Sequence, residues 1–353
     1  MRLRRRWIAP SAIGVAVAVG LAVSVLLASN GPAQTSTALG TATGNSAAAP
    51  SAPAVAPLVL PPRSTSSAST SSTGTTADLW HSWQPPADLP AHGTTGTVTI
   101  PAFVSGFAAR DAQVYLPPAA LVAHAPALPF VLMMMGQPGS PDAGPISTVL
   151  DQFAAAHNGL APIVVVADQL GNPDVDSLCL DTPERGNVET YIEQDVVNWA
   201  RAHLSIEENR GAWTIAGFSN GGQCAISLAS KYPAVWGNVI SASGSQYAGI
   251  ETEAGVLAEV FNGNQDAFDA IKPATVMAKS AYPDTTAVFT VGADDTEMRN
   301  NLKDLSDDAR AAGMHTNYFE VPNQGHTTGA LIGGLTHAFG ILYPRLGLAT
   351  PTG

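Results

Sequence analysis

The pentapeptide Gly217-Phe218-Ser219-Asn220-Gly221 constrains the fold of this chain more than any other stretch. It follows the apolar run Trp213-Thr214-Ile215-Ala216, which reads as a buried strand. It precedes Gly222-Gln223-Cys224-Ala225-Ile226-Ser227-Leu228-Ala229, which reads as a helix. A strand that turns directly into a helix has no room for side chains two residues either side of the turn. Glycine at 217 and 221 removes that clash, leaving Ser219 in a strained conformation with its hydroxyl at the carboxyl edge of a sheet. The N-terminus of the following helix adds a field that favours developing negative charge. Such a turn presupposes a sheet with helices packed on its faces.

The surrounding sequence supplies that sheet. Short β-branched or apolar runs over 96–100, 112–116, 130–135, 162–167, 212–216, 238–242, 287–291 and 316–321 predict eight strands. From the third strand onward they alternate with helical patterns ending near 156, 204, 232, 312 and 343, which predicts βαβ units and a mainly parallel sheet. In the second of these helices Ile192, Val196 and Trp199 fall at i, i+4 and i+7. Residues 244–284 interrupt the rhythm with mixed helix and loop, and with Tyr247, Phe261, Phe268 and Met277 are read as a cap insertion.

A serine hydroxyl becomes a nucleophile only when a base takes its proton, and that base needs an acid to orient it. On a sheet with this turn the chain order is serine, acid, histidine. After the strand ending Phe289-Thr290-Val291 comes Gly292-Ala293-Asp294-Asp295, and after Phe319-Glu320-Val321 comes Pro322-Asn323-Gln324-Gly325-His326. Both loops leave carboxyl ends of strands, the edge where Ser219 should project. His326 is the expected base, since His315 and His337 read as strand and helix residues. Asp295 is the expected acid with Asp294 as the fallback, because either could instead cap the helix beginning near Thr296. Acyl transfer also needs hydrogen-bond donors for an oxyanion. The backbone N–H of Asn220 is one candidate, and that of Gln137, in the loop Met135-Gly136-Gln137-Pro138-Gly139, is the other.

The N-terminus points to export. Arg2, Arg4, Arg5 and Arg6 precede an uncharged, mostly apolar run whose stretch 11–29 is close to the length that spans a bilayer, so 1–29 reads as a signal peptide or a signal anchor. If the segment is retained, the arginines stay cytoplasmic and the remainder lies outside. Residues 30–77 are almost entirely Ala, Ser, Thr, Pro and Gly, with one charge, Arg63, and a short apolar patch at Leu58-Val59-Leu60. They read as a disordered linker. That leaves 78–353 as one catalytic domain. All 28 acidic residues but only 11 of the 16 basic ones lie there, a balance of −17, which argues against nucleic acid as a partner. No His/Cys cluster has metal-ligand spacing, and no metal or organic cofactor is expected.

With these motifs in place, residues 95–345 resemble the α/β-hydrolase fold, in the esterase branch that includes S-formylglutathione hydrolases, feruloyl-type esterases and mycolyltransferase antigens. The resemblance rests on Gly-Phe-Ser-Asn-Gly-Gly at 217–222, Gly-Ala-Asp-Asp at 292–295, Gly325-His326 and the order of elements. The loop at 135–139 is similar to a His-Gly-x-Pro-Gly loop of many relatives, with Met135 in place of the histidine. The stretch 179–191 is similar to one in exported members, and this similarity implies a Cys179–Cys224 disulfide. The resemblance implies an exported serine esterase acting on small-molecule, lipid or glycan esters through an acyl-serine. Two alternatives stay open: an envelope acyltransferase with the same three residues, and a catalytically silent binding module on the same fold.

Overall fold

The computed structural model describes residues 55–61, 76–249 and 252–350. The apolar run at 11–29 and most of the Ala/Ser/Thr/Pro-rich segment lie outside them. Among the described residues no helix is long and apolar enough to cross a membrane.

The strands in chain order are β1 Thr94–Val98, β2 Ala112–Leu116, β3 Phe130–Met134, β4 Ile163–Ala167, the short pair β5 Asp181–Thr182 and β6 Gly186–Asn187, then β7 Trp213–Phe218, β8 Asn238–Ala242, β9 Thr286–Gly292 and β10 His315–Val321. Eight of them form one sheet in the order β1-β2-β4-β3-β7-β8-β9-β10. β1 and β2 pair antiparallel, β2 pairs antiparallel with β4, and every later pairing is parallel. This is the α/β-hydrolase arrangement. Every residue of β3 and of β4 is buried, which explains why both read as continuous apolar runs rather than alternating ones.

The main helices are α1 Gly144–Ala156, α2 Val197–His203, α3 Asn220–Lys231, α4 Glu253–Glu259, α5 Gln265–Ile271, α6 Pro273–Met277, α7 Thr296–Ala311 and α8 Thr328–Arg345. The helix expected over 188–204 is there, but not uniform: Val188–Thr190 is α-helical, Tyr191–Val196 widens into a π-helical stretch and α2 completes it. Periodicity cannot register one wide turn, so sequence could not show this. Within the segment 244–284, Phe261 and Phe268 pack into a small separate cluster with Leu178, Ala248 and Val256, while Met277 belongs to the main core.

Residues 55–61 run beside β1. Leu58 N donates to Thr97 O at 3.0 Å and Thr97 N to Ala56 O at 3.0 Å. Gly96 allows the approach, since a Cβ there would come within 2.5 Å of Leu58 Cβ. Leu58 and Leu60 pack against the core, and Val59 is exposed.

The π-helical stretch carries a buried acid, Glu193, whose Oε1 accepts from Trp236 Nε1 at 2.9 Å. Burial pushes its carboxyl up to about 8 from an ordinary 4.5, against the lowering effect of Trp236 and with Glu189 adding to the rise. The folded chain therefore holds this proton more tightly than the unfolded one. The resulting stability is fully present below about pH 4.5 and is lost as pH rises through about 8. Glu193→Gln keeps the acceptor for Trp236 and removes the ionisation. Between about pH 5 and about pH 9 the parent's Tm should fall by a few degrees relative to the variant. Parallel Tm curves for the two proteins would contradict this.

Candidate active site

Ser219 sits at the end of β7 and caps α3, with φ 55° and ψ −119°, a conformation that L residues rarely adopt. The turn is as tight as the sequence requires. A Cβ at Gly217 would lie 2.0 Å from Gly221 O, and one at Gly221 would lie 2.2 Å from Met134 O. The turn is held to the sheet by Ser219 N donating to Ala242 O at 2.8 Å. Strain of this kind persists only where the surroundings over-determine it, and here backbone on three sides does so.

His326 and Asp295 meet. His326 Nδ1 and Asp295 Oδ2 are 2.7 Å apart. Asp295 is 7% exposed, and its other oxygen, Oδ1, accepts from Met298 N at 3.3 Å to cap α7. One carboxylate thus serves both as the histidine's partner and as the helix cap, roles that sequence alone set against each other. Asp294 is exposed, and its backbone N donates to Gln324 O at 2.8 Å. That bond, with Ala293 N to Val321 O at 2.9 Å, lashes the acid loop to the histidine loop. Gly292 permits their close approach, because a Cβ there would lie 2.3 Å from both Gln324 O and Gly325 O. The His326 ring packs on Phe218, centroids 4.9 Å apart, which brings it beside the residue preceding Ser219.

The loop leaving β3 reaches the same place. A Cβ at Gly136 would stand 3.2 Å from Ser219 Cβ, so Gln137 enters the site immediately beside the serine. Ser219, Asn220, Gln137, Asp295 and His326 line one cavity of about 510 Å³. Its remaining wall includes Tyr247, Thr252 and Glu253 from the segment 244–284, and Glu297 and Met298 from α7. Among the described residues no group of His, Cys, Asp and Glu could hold a metal ion.

Cys179 and Cys224 form a disulfide, Cα atoms 5.5 Å apart, joining the loop after β4 to α3 behind Ser219. The two residues that sequence reasoning passed over are Asp168 and Gln169. They directly follow β4 at the sheet's carboxyl edge, and their position was the available signal. The Arg110 guanidinium holds Asp168 from two nitrogens, Nε at 2.9 Å and Nη2 at 2.6 Å. Burial alone would raise the Asp168 carboxyl, but the hydrogen bonds from Arg110 and from the backbone of Arg110 and Leu170 outweigh it and hold the group below its ordinary value.

A family model described as "Putative esterase" matches residues 108–328, which include every residue of this cluster. The chain belongs to this esterase family. A protein of Corynebacterium glutamicum, itself described as uncharacterized, is 30% identical to this chain over 249 residues, 68% of this chain and 57% of the relative. The match thus spans little more than half of that relative's length. Among solved structures, a ferulic acid esterase aligns with a TM-score of 0.61 at 16% identity, over 74% of this chain and all of that one. The S-formylglutathione hydrolase of Agrobacterium tumefaciens aligns at 0.59 and 16%, over 73% of this chain and 97% of that one. At such identities the two structures bear on the fold, which they share. Family and fold agree: the chain is a member of this esterase family on the α/β-hydrolase fold.

Proposed function

We propose that this esterase is an exported enzyme that cleaves carboxylic esters through an acyl-Ser219 intermediate. The observation that carries the proposal is the 2.7 Å contact between His326 Nδ1 and Asp295 Oδ2 beside a serine held at φ 55° in the same cavity. With Nδ1 engaged by the carboxylate, the ring's proton is fixed there and Nε2 is left basic. Nε2 takes the Ser219 proton as Oγ attacks the ester carbonyl carbon. The resulting oxyanion accepts from the backbone N–H groups of Asn220 and Gln137. The bond from carbonyl carbon to alcohol oxygen then breaks, and imidazolium returns the proton to the departing alcohol. Water repeats the sequence on the acyl-serine, releasing the acid and the free Ser219 hydroxyl.

Export is supported by the basic, then apolar, N-terminus and by the Cys179–Cys224 bridge, which suits an oxidising compartment. A location outside the membrane would give access to lipid and glycan esters of the envelope as well as small-molecule esters. Transfer to an alcohol shares every step with hydrolysis except the acceptor, so the same site serves an acyltransferase.

A partition experiment tests the mechanism. Nitrophenyl and alkyl esters of one acyl group are turned over with an added alcohol acceptor, and free acid and transferred ester are both quantified. A common acyl-serine predicts one acid-to-ester ratio for every leaving group. A ratio that changes with leaving group would contradict the intermediate. Failure to turn over any ester would favour the silent binding module.

A further inference from the structure

We infer that Gln169 is a positioning residue that sets the spacing of the two backbone donors for the oxyanion, with Arg110 steadying the far end of the same loop. The inference rests on the acyl-transfer reading above. Its starting point is the way one buried amide is shared. Gln169 is 2% exposed, and its Nε2 donates to Met135 O at 2.6 Å and to Asn220 Oδ1 at 3.0 Å. Met135 stands two residues before Gln137, and Asn220 immediately follows Ser219. A single NH₂ group therefore ties together the two chain segments that carry the proposed donors.

The orientation of that amide is forced by chemistry. Met135 O can only accept. Asn220 Oδ1 also faces Gln169, because Asn220 Nδ2 is spent on Asp176 Oδ1 at 2.9 Å. Turning Gln169 over would set its oxygen against two acceptors, so the NH₂ orientation is the one compatible with its neighbours. The backbone of Gln169 is fixed as well, its carbonyl accepting from Ser177 Oγ at 2.5 Å.

The other end of the loop is held by the adjacent residue. Asp168, 1% exposed, binds the Arg110 guanidinium, whose remaining Nη1 donates to Gly139 O at 2.8 Å. Residues 135–139 are thus braced at both ends from the dipeptide that follows β4. Between the braces the loop is compact, since a Cβ at Gly139 would lie 2.4 Å from Gly136 O. Oxyanion donors act at about 2.7–3.1 Å from the developing charge, and a displacement of about 1 Å can cost on the order of 100-fold in rate. A brace that fixes the gap between two donors therefore acts on the tetrahedral state far more than on bound ester.

The test uses the full-length chain, with kcat and KM for one ester and the affinity for an alkyl boronic acid, which forms a tetrahedral adduct with an activated serine. Gln169→Leu keeps the volume and removes the donors. It is expected to lower kcat about 10- to 100-fold, leave KM within about twofold and weaken the boronate in step with kcat/KM. Gln169→Glu keeps the shape and can donate only while protonated. Its activity should decline with rising pH in a range where the parent's does not, a signature that mere loss of packing would not give. Unchanged kcat and boronate affinity in both variants would overturn the inference, as would a rise in KM that accounts for the whole loss. If the parent itself neither binds boronate nor turns over ester, the acyl-transfer reading fails. If the parent does both and the variants match it, only the role of Gln169 fails.

Discussion

Asp295→Asn is expected to lower kcat/KM for ester hydrolysis about ten-thousand-fold, while Asp294→Asn stays within a few-fold of the parent. The two residues are neighbours and chemically identical, so the contrast comes from geometry alone. Asp295 is buried with Oδ2 on His326 Nδ1, whereas Asp294 is exposed and contributes its backbone N–H to the histidine loop. An asparagine at 295 offers the imidazole an uncharged partner, which no longer stabilises imidazolium and can select the wrong tautomer. It still caps α7, because Asn is as good a cap as Asp, so the variant should fold. Steady-state kinetics with a melting curve for each variant decides the matter. A severe loss in Asp294→Asn with activity kept in Asp295→Asn would reverse the assignment.

The second large effect is on stability. The Cys179–Cys224 bridge closes a loop with a sequence separation of 45, for which the chain-entropy relation gives about 4 kcal/mol at room temperature. Spread over a domain of this size, that corresponds to a Tm lower by roughly 5–10 °C in Cys179→Ala/Cys224→Ala. Activity should fall with it. The segment after β4 that the bridge ties to α3 also carries Asp176, three residues before Cys179, whose Oδ1 accepts from Asn220 Nδ2, and Asn220 directly follows Ser219. Thermal unfolding of the parent with and without reductant, beside the double variant, measures the first effect, and ester turnover well below both melting points measures the second. Equal Tm values in all three samples would show that the bridge contributes nothing.

Much of this architecture is legible in the sequence. All eight strands of the large sheet fall within two residues of their expected limits at either end. Strands such as β3 and β4 are buried on both faces, and their unbroken apolar runs have few competing readings. The turn at Ser219 was equally plain, because three glycine- or serine-only positions between a strand and a helix encode a steric requirement that the structure meets with Cβ clearances near 2 Å. The choice between Asp294 and Asp295 could not be derived, since the side chain that meets His326 also makes the helix cap. The brace formed by Asp168, Gln169 and Arg110 was hidden for a different reason. Its partners are 29 to 58 residues apart for Arg110 and 34 and 51 apart for Gln169, and three of the acceptors are backbone or amide oxygens with no sequence signature. The contact of Leu58 with β1 was missed because a Pro- and Ser-rich neighbourhood masks a three-residue apolar patch. The disulfide came from likeness to exported relatives, and two cysteines 45 residues apart do not announce a bridge by themselves.

The central claim is that Ser219 is an activated nucleophile, and intact mass after treatment with a fluorophosphonate probe tests it most directly. The full-length chain is incubated with the probe beside its Ser219→Ala variant, both confirmed to be folded by circular dichroism. The expected result is a single adduct on the parent and none on the variant, with the modified peptide containing residue 219. A folded parent that takes up no probe, or a variant labelled as readily as the parent, would contradict the account.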